Sequence, residues 1–121
     1  MSDPVVDLMH ANLLEVFAER DPERRWAAIE RTYTEDVAFL DPDEVVQGRA
    51  ALSAKAQRIL DGAPGFVFAS AGPVYANHDL AYLAWNFGPD GAAPVVTGTD
   101  VALVRDGRIS RIYTFLTQQL A

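Results

Sequence analysis

Pro94-Val-Val-Thr-Gly-Thr-Asp-Val-Ala-Leu-Val-Arg-Asp-Gly-Arg-Ile109 decides the architecture, because it reads as a long β-strand, a tight turn and the start of a second strand. β-Branched residues fill the first part, and Asp106-Gly107 is a pair that tolerates the positive φ angles of a hairpin turn. Alternation places Val96, Gly98, Asp100, Ala102 and Val104 on one face. An aspartate in mid-strand is out of character, since its short carboxylate competes for backbone hydrogen bonds and favours water. Small apolar neighbours on the same face describe a pocket wall with space beside the acid. Burial there lifts a carboxyl above its ordinary pKa of about 3.9, which makes Asp100 a candidate acid/base group.

Around this hairpin the second half of the chain alternates throughout. Strands are predicted over residues 66–74, 80–87, 95–105 and 108–117, forming an antiparallel meander, with Gly72-Pro73 bending the first of them. The first half is helical. Ser2 or Asp3 caps a helix with Pro4 in its first turn, in which Val6, Met9, Leu13, Val16 and Phe17 recur every three or four residues. Asp21-Pro22 repeats the start signal, and Trp26, Ile29 and Tyr33 mark the buried stripe of a second helix. A short strand over 37–40, the turn Asp41-Pro42-Asp43 and a brief strand at 45–48 follow, then a helix carrying Leu52, Ala56, Ile59 and Leu60 that closes at Gly62. The predicted class is α+β, one domain over residues 1–121. A cone-shaped, curved antiparallel sheet takes three helices from the N-terminal half on its concave side and encloses a pocket.

Composition narrows the function. Half of the 121 residues are hydrophobic, yet no apolar run approaches the roughly 18–20 residues of a membrane helix. A formal charge of −7 opposes nucleic acid and anionic lipid as partners. The acidic start Met1-Ser-Asp-Pro4 lacks the basic and apolar regions of an export signal, so a cytoplasmic location is expected. With no cysteine, and with His10 and His78 isolated and read as surface residues, no metal site is expected. Lys55, the single lysine, has no role that the sequence defines.

The order helix, helix, short strand ending Phe39-Leu-Asp-Pro42, Gln47-Gly-Arg-Ala-Ala-Leu52 opening a third helix, and four strands resembles the nuclear transport factor 2-like superfamily. Tyr33-Thr-Glu-Asp-Val-Ala-Phe-Leu-Asp-Pro42 and Asp100-Val-Ala-Leu-Val-Arg-Asp-Gly-Arg-Ile109 are similar to the SnoaL-like polyketide cyclases and, more distantly, to ketosteroid isomerase. The resemblance implies that Asp41 stands where the isomerase has its general base, and Asp100 where it has a protonated acid facing the substrate oxygen. The isomerase's oxyanion tyrosine falls on Leu13. This departure points away from steroids and toward the cyclases, which rely on an aspartate acid/base in a hydrophobic chamber. The resemblance also implies a homodimer, formed through the outer sheet face with Val101, Leu103 and Tyr113.

Other residues complete the candidate site. Leu83, Trp85 and Phe87 share one apolar face of their strand with Ala81, and the superfamily turns that face inward. Leu13 and Tyr33 reach the chamber from the helices. A two-residue turn at Asp106-Gly107 places Tyr113 across from Asp100, whereas a bulge at Gly107 places Ile112 there, with Thr114 and Leu116 on the same face. Arg111, Thr97, Thr99 and Tyr113 are the candidate partners that would simply satisfy Asp100. The expected function is cofactor-independent cyclase, isomerase or dehydratase chemistry on a small apolar carbonyl compound through Asp100 and Asp41. The alternatives are a non-catalytic module for a small hydrophobic ligand and a dimerisation domain.

Overall fold

The computed structural model describes residues 3–119. Asp3 caps the first helix, its carboxylate accepting from the Val5 N–H at 2.9 Å, and Pro4 occupies the first turn. Ser2, the other candidate cap, lies outside the described residues. This helix, α1 (Pro4–Ala11), continues as a π-helical segment, Asn12–Phe17, in which Ala18 N–H reaches five residues back to Leu13 O. The segment buries Asn12, Leu13, Val16 and Phe17 together.

α2 (Pro22–Thr32) starts from Asp21, whose side chain accepts from Glu23 N–H. Its inward face differs from the predicted stripe. Arg25, Ala28, Ile29 and Thr32 are buried, while Trp26 is 39% exposed. Arg25 takes the inward place because its fork finds acceptors on three sides: Glu19 O just before α2, and Ser53 Oγ and Gln57 Oε1, which tie α2 to α3 (Arg49–Asp61). Tyr33 belongs not to α2 but to the first strand.

Among the described residues seven strands form one open sheet: β1 (Tyr33–Leu40), β2 (Val45–Gln47), β3 (Phe66–Ser70), β4 (Tyr75–Asn77), β5 (Leu80–Pro89), β6 (Val96–Arg105) and β7 (Arg108–Gln119). Their order is β2-β1-β7-β6-β5-β3, with β4 also pairing β5. Gly72-Pro73 divides β3 from β4, which lie along successive lengths of β5. The predicted meander is present, but the sheet is mixed, since β1 and β7 run parallel. That pairing joins the two halves of the chain, and no local signal announces it.

The β6–β7 hairpin settles the register. Asp106 and Gly107 have φ of 52° and 79°, so the turn is the two-residue kind and pairs Arg105 with Arg108 and Val104 with Ile109. Leu103 then pairs with Arg111, which leaves Ser110 as an extra residue on β7. Beyond this bulge Asp100 faces Thr114, and Tyr113 moves to the outer face opposite Val101. Because the tight turn and a bulge occur together, neither predicted partner, Tyr113 or Ile112, stands opposite Asp100, while the inward face of β7 is the one the bulge reading gives, with Ile112 opposite Ala102 and Leu116 opposite Gly98.

The core lies between the helices and one face of the sheet. Met9, Leu13, Val16, Ile29, Leu52, Ala56 and Leu60 from the helices meet Val37, Phe39, Leu83, Ala102, Ile109 and Ile112 from the strands. No helix among the described residues is long and apolar enough to cross a membrane.

Candidate functional site

Between the layers lies a cavity of about 230 Å³. Its walls are chiefly apolar, from Leu13, Phe17, Phe39, Phe68, Trp85 and Phe87, and the lining residues that also meet solvent, Asp43 and Leu116, mark its mouth.

Asp100 is 5% exposed and lines this cavity. Its Oδ1 accepts from Trp85 Nε1 at 3.0 Å and Thr114 Oγ1 at 2.7 Å, and its Oδ2 accepts from Asn12 Nδ2 at 2.9 Å. Tyr33 sets the direction of the last bond: its hydroxyl donates to Asn12 Oδ1 at 2.5 Å, so the Asn12 amide turns its N–H toward the acid. All three partners are neutral. Burial pushes the Asp100 carboxyl above its ordinary value, and the donors from Thr114, Trp85 and Asn12 offset only part of that rise. A carboxylate oxygen accepts about two hydrogen bonds, so Oδ1 is saturated and Oδ2 keeps one place for a proton or a ligand. Tyr33 is fully buried, and burial first, then the neighbouring Asp100, holds its phenol well above the ordinary range, so it acts as a fixed donor.

Gly98 explains how the indole reaches the acid. It pairs directly with Trp85, and a Cβ built on it would lie 2.2 Å from Trp85 Cζ2 and 2.7 Å from Phe115 O. The space beside Asp100 that the small residues promised is thus partly filled by the Trp85 ring. The cavity opens beyond that ring, not at Gly98.

Asp41 also lines the cavity, but it is not a free base. Its Oδ1 accepts the N–H groups of Asp43 and Glu44 at 2.9 and 3.0 Å, which fixes the turn after β1. Its Oδ2 lies 2.8 Å from Lys55 Nζ. Burial alone would raise its pKa, yet the Lys55 ammonium and the two N–H groups outweigh burial and hold it below the usual carboxylate value. A carboxylate so stabilised is a weak proton acceptor, unlike the free general base that the resemblance implies at this position. Lys55 Nζ also meets Glu44 Oε2 at 3.0 Å, and its side chain is only 8% exposed. Burial opposes its charge, but these two carboxylates keep its pKa above the ordinary lysine value.

Of the other predicted site residues, Leu13, Trp85 and Phe87 line the cavity. Leu83 pairs with Asp100 across the strands but lies in the core, and Tyr33 stands one layer back, behind Asn12. Tyr113 faces away, 38% exposed, its hydroxyl accepting from Arg111 Nε. None of the four anticipated partners, Arg111, Thr97, Thr99 and Tyr113, bonds to Asp100; Thr97 pairs instead with Thr117.

Sequence reasoning missed Asn12 and Lys55. Asn12 lies three residues after Met9 and four before Val16, so a lone amide on the apolar stripe was its available signal. Lys55 falls between Leu52 and Ala56, on the buried face of α3. Among the described residues no group of three or more His, Cys, Asp or Glu is placed to hold a metal ion.

This architecture coincides with a known class. The chain belongs to the SnoaL-like domain family, whose model matches residues 11–112. It is similar to a candidate isomerase of the SnoaL-like family from Agrobacterium tumefaciens, at 26% identity and TM-score 0.86 over 93% of this chain and 97% of that one. A candidate ketosteroid isomerase from Kribbella flavida superposes at TM-score 0.73 with 21% identity, covering 98% and 81% of the two chains. A candidate polyketide cyclase from Sinorhizobium meliloti gives 0.70 with 20% identity over 89% and 93%. The last two likenesses show the fold alone. No curated protein matches the sequence.

Proposed function

We propose that this protein is a cofactor-independent acid/base enzyme that moves protons on a small apolar carbonyl compound, with Asp100 giving and taking the proton. One observation carries the reading: a buried carboxyl borders an apolar cavity with one acceptor position left on Oδ2. As a carboxylate, Oδ2 removes the proton α to the carbonyl and the C–H electron pair passes into an enolate. The acid so formed returns the proton at the same or a conjugated carbon. Isomerisation and enol-driven ring closure share that first step. A dry cavity of about 150 Å³ holds one benzene ring, so 230 Å³ suits a substituted single ring or a small bicycle. Large polycyclic polyketides exceed it.

Exchange of α-hydrogens of cyclohexanone for deuterium in D2O, followed by proton NMR, tests the reading. Exchange faster with the wild-type protein than with Asp100→Asn supports it. The rival is a non-catalytic chamber, favoured by the three donors that already satisfy Asp100, and it predicts binding without exchange.

The assembly we infer is a homodimer through the outer sheet face. Tyr82, Val101 and Tyr113 lie side by side across β5, β6 and β7, flanked by Tyr75 and Phe115, and the four aromatics are exposed. Light scattering should give twice the chain mass, and Tyr82→Lys should return one. A wild-type monomer would refute this assembly.

A further inference from the structure

Proton removal next to a carbonyl puts negative charge on the carbonyl oxygen, and that charge needs a donor in the cavity. The donors around Asp100 are already used. Trp85 Nε1 and Thr114 Oγ1 both point at Oδ1, and Asn12 Nδ2 points at Oδ2. Leu13, where the resemblance placed an oxyanion tyrosine, has no polar atom on its side chain. Lys55 is different. An ammonium carries three N–H bonds, and its side-chain partners among the described residues are two, Asp41 and Glu44, both in the turn between β1 and β2. Its side chain is nearly closed to solvent, yet it forms part of the cavity wall.

Resting on the reading above, we infer that Lys55 is a second catalytic residue, its remaining N–H donating to the substrate's carbonyl oxygen while Asp100 handles the carbon-bound proton. The two polar groups share no hydrogen-bond partner, so each can serve a different atom of the ligand. The charge around Lys55 also defines the substrate. Asp41 and Glu44 already surround the ammonium, and Asp43 adds a third carboxylate to the mouth against the single further cation Arg58, which pairs with Glu44. A carboxylate or phosphate ligand would meet net negative charge there. The fitting substrate is a neutral ketone or enone, whose oxygen gains charge only as the proton leaves. The Asp41–Lys55 pair, which removes Asp41 as a base, thereby holds the donor in place.

The test compares cyclohexanone exchange in wild type, Lys55→Met, Gln57→Ala and Asp100→Asn. Lys55→Met should lower kcat about 10²-fold, the usual cost of losing one oxyanion donor, with KM changed far less. Gln57→Ala loosens the same helix by removing an acceptor of Arg25 but keeps the ammonium and both of its carboxylates, and should stay within a few-fold of wild type. Lys55→Gln replaces Lys55→Met should the latter fail to fold, with a loss in the same direction. Retention of the rate in a folded Lys55 variant, or an equal loss in Gln57→Ala, overturns the role of Lys55 while leaving Asp100 standing. Wild-type exchange no faster than Asp100→Asn overturns both.

Discussion

Asp100→Asn should fold and lose catalysis. The variant keeps an oxygen where Trp85 and Thr114 donate, and its new N–H groups are accommodated if the Asn12 amide turns over, because the Tyr33 hydroxyl can accept as well as donate. The three bonds to residue 100 are kept, at the cost of one buried donor, the Tyr33 hydroxyl hydrogen, whose acceptor is lost, about 1–3 kcal/mol and less than the loss of all three bonds. What disappears is the buried carboxyl assigned to carry the proton in both directions, and loss of a positioned acid/base typically costs 10²–10⁴-fold, a range expected here for α-hydrogen exchange. Asp100→Leu behaves differently, since it leaves three buried donors without an acceptor and should lower stability by several kcal/mol, each orphaned group costing about 1–3 kcal/mol. NMR exchange rates together with denaturant midpoints separate the two outcomes.

The second large effect is expected at Gly98. Alanine there would set a methyl 2.2 Å from the Trp85 ring and 2.7 Å from the Phe115 carbonyl oxygen, so the indole must move. Overpacking costs about 1–3 kcal/mol, and a displaced indole also forfeits its bond to Asp100, a hydrogen bond to a charged group worth about 1.5–3 kcal/mol. A loss of about 3 kcal/mol and a changed indole environment are expected from denaturant unfolding and near-ultraviolet circular dichroism. A change below about 0.5 kcal/mol, the range of ordinary surface substitutions, would contradict the packing described.

The hairpin and Gly98 also show what the sequence disclosed. Alternation, the Asp106-Gly107 turn and the Gly72-Pro73 break are local signals, and each corresponds to the feature expected of it. The bulge at Ser110 is not local. It depends on how β7 lies between β6 and the parallel β1, and one extra residue there exchanged Tyr113 for Thr114 at Asp100. On α2, hydrophobicity favoured Trp26 as the inward residue, but acceptors from Glu19, Ser53 and Gln57 draw Arg25 inside. Pattern reading ranks side chains by apolarity and cannot see acceptors brought by another helix. The same blindness hid Asn12 and Lys55, whose burial depends on Tyr33, Asp100 and Asp41 from distant segments.

Asp41 and Asp100 respond to pH in opposite senses. Asp41, with its pKa depressed, contributes stability that is present above its unfolded value and lost as pH falls through its folded one. Asp100 has a raised folded pKa, so the folded state holds a proton the unfolded chain has released, and its contribution improves as pH falls through that value. A direct titration of the Asp100 side-chain carboxyl by carbon-13 NMR, assigned by its absence in Asp100→Asn, reads the second claim at its source. The midpoint should lie above the ordinary aspartate value of about 3.9. A midpoint at or below that value would contradict an acid poised in a dry chamber and leave Asp100 a structural carboxylate.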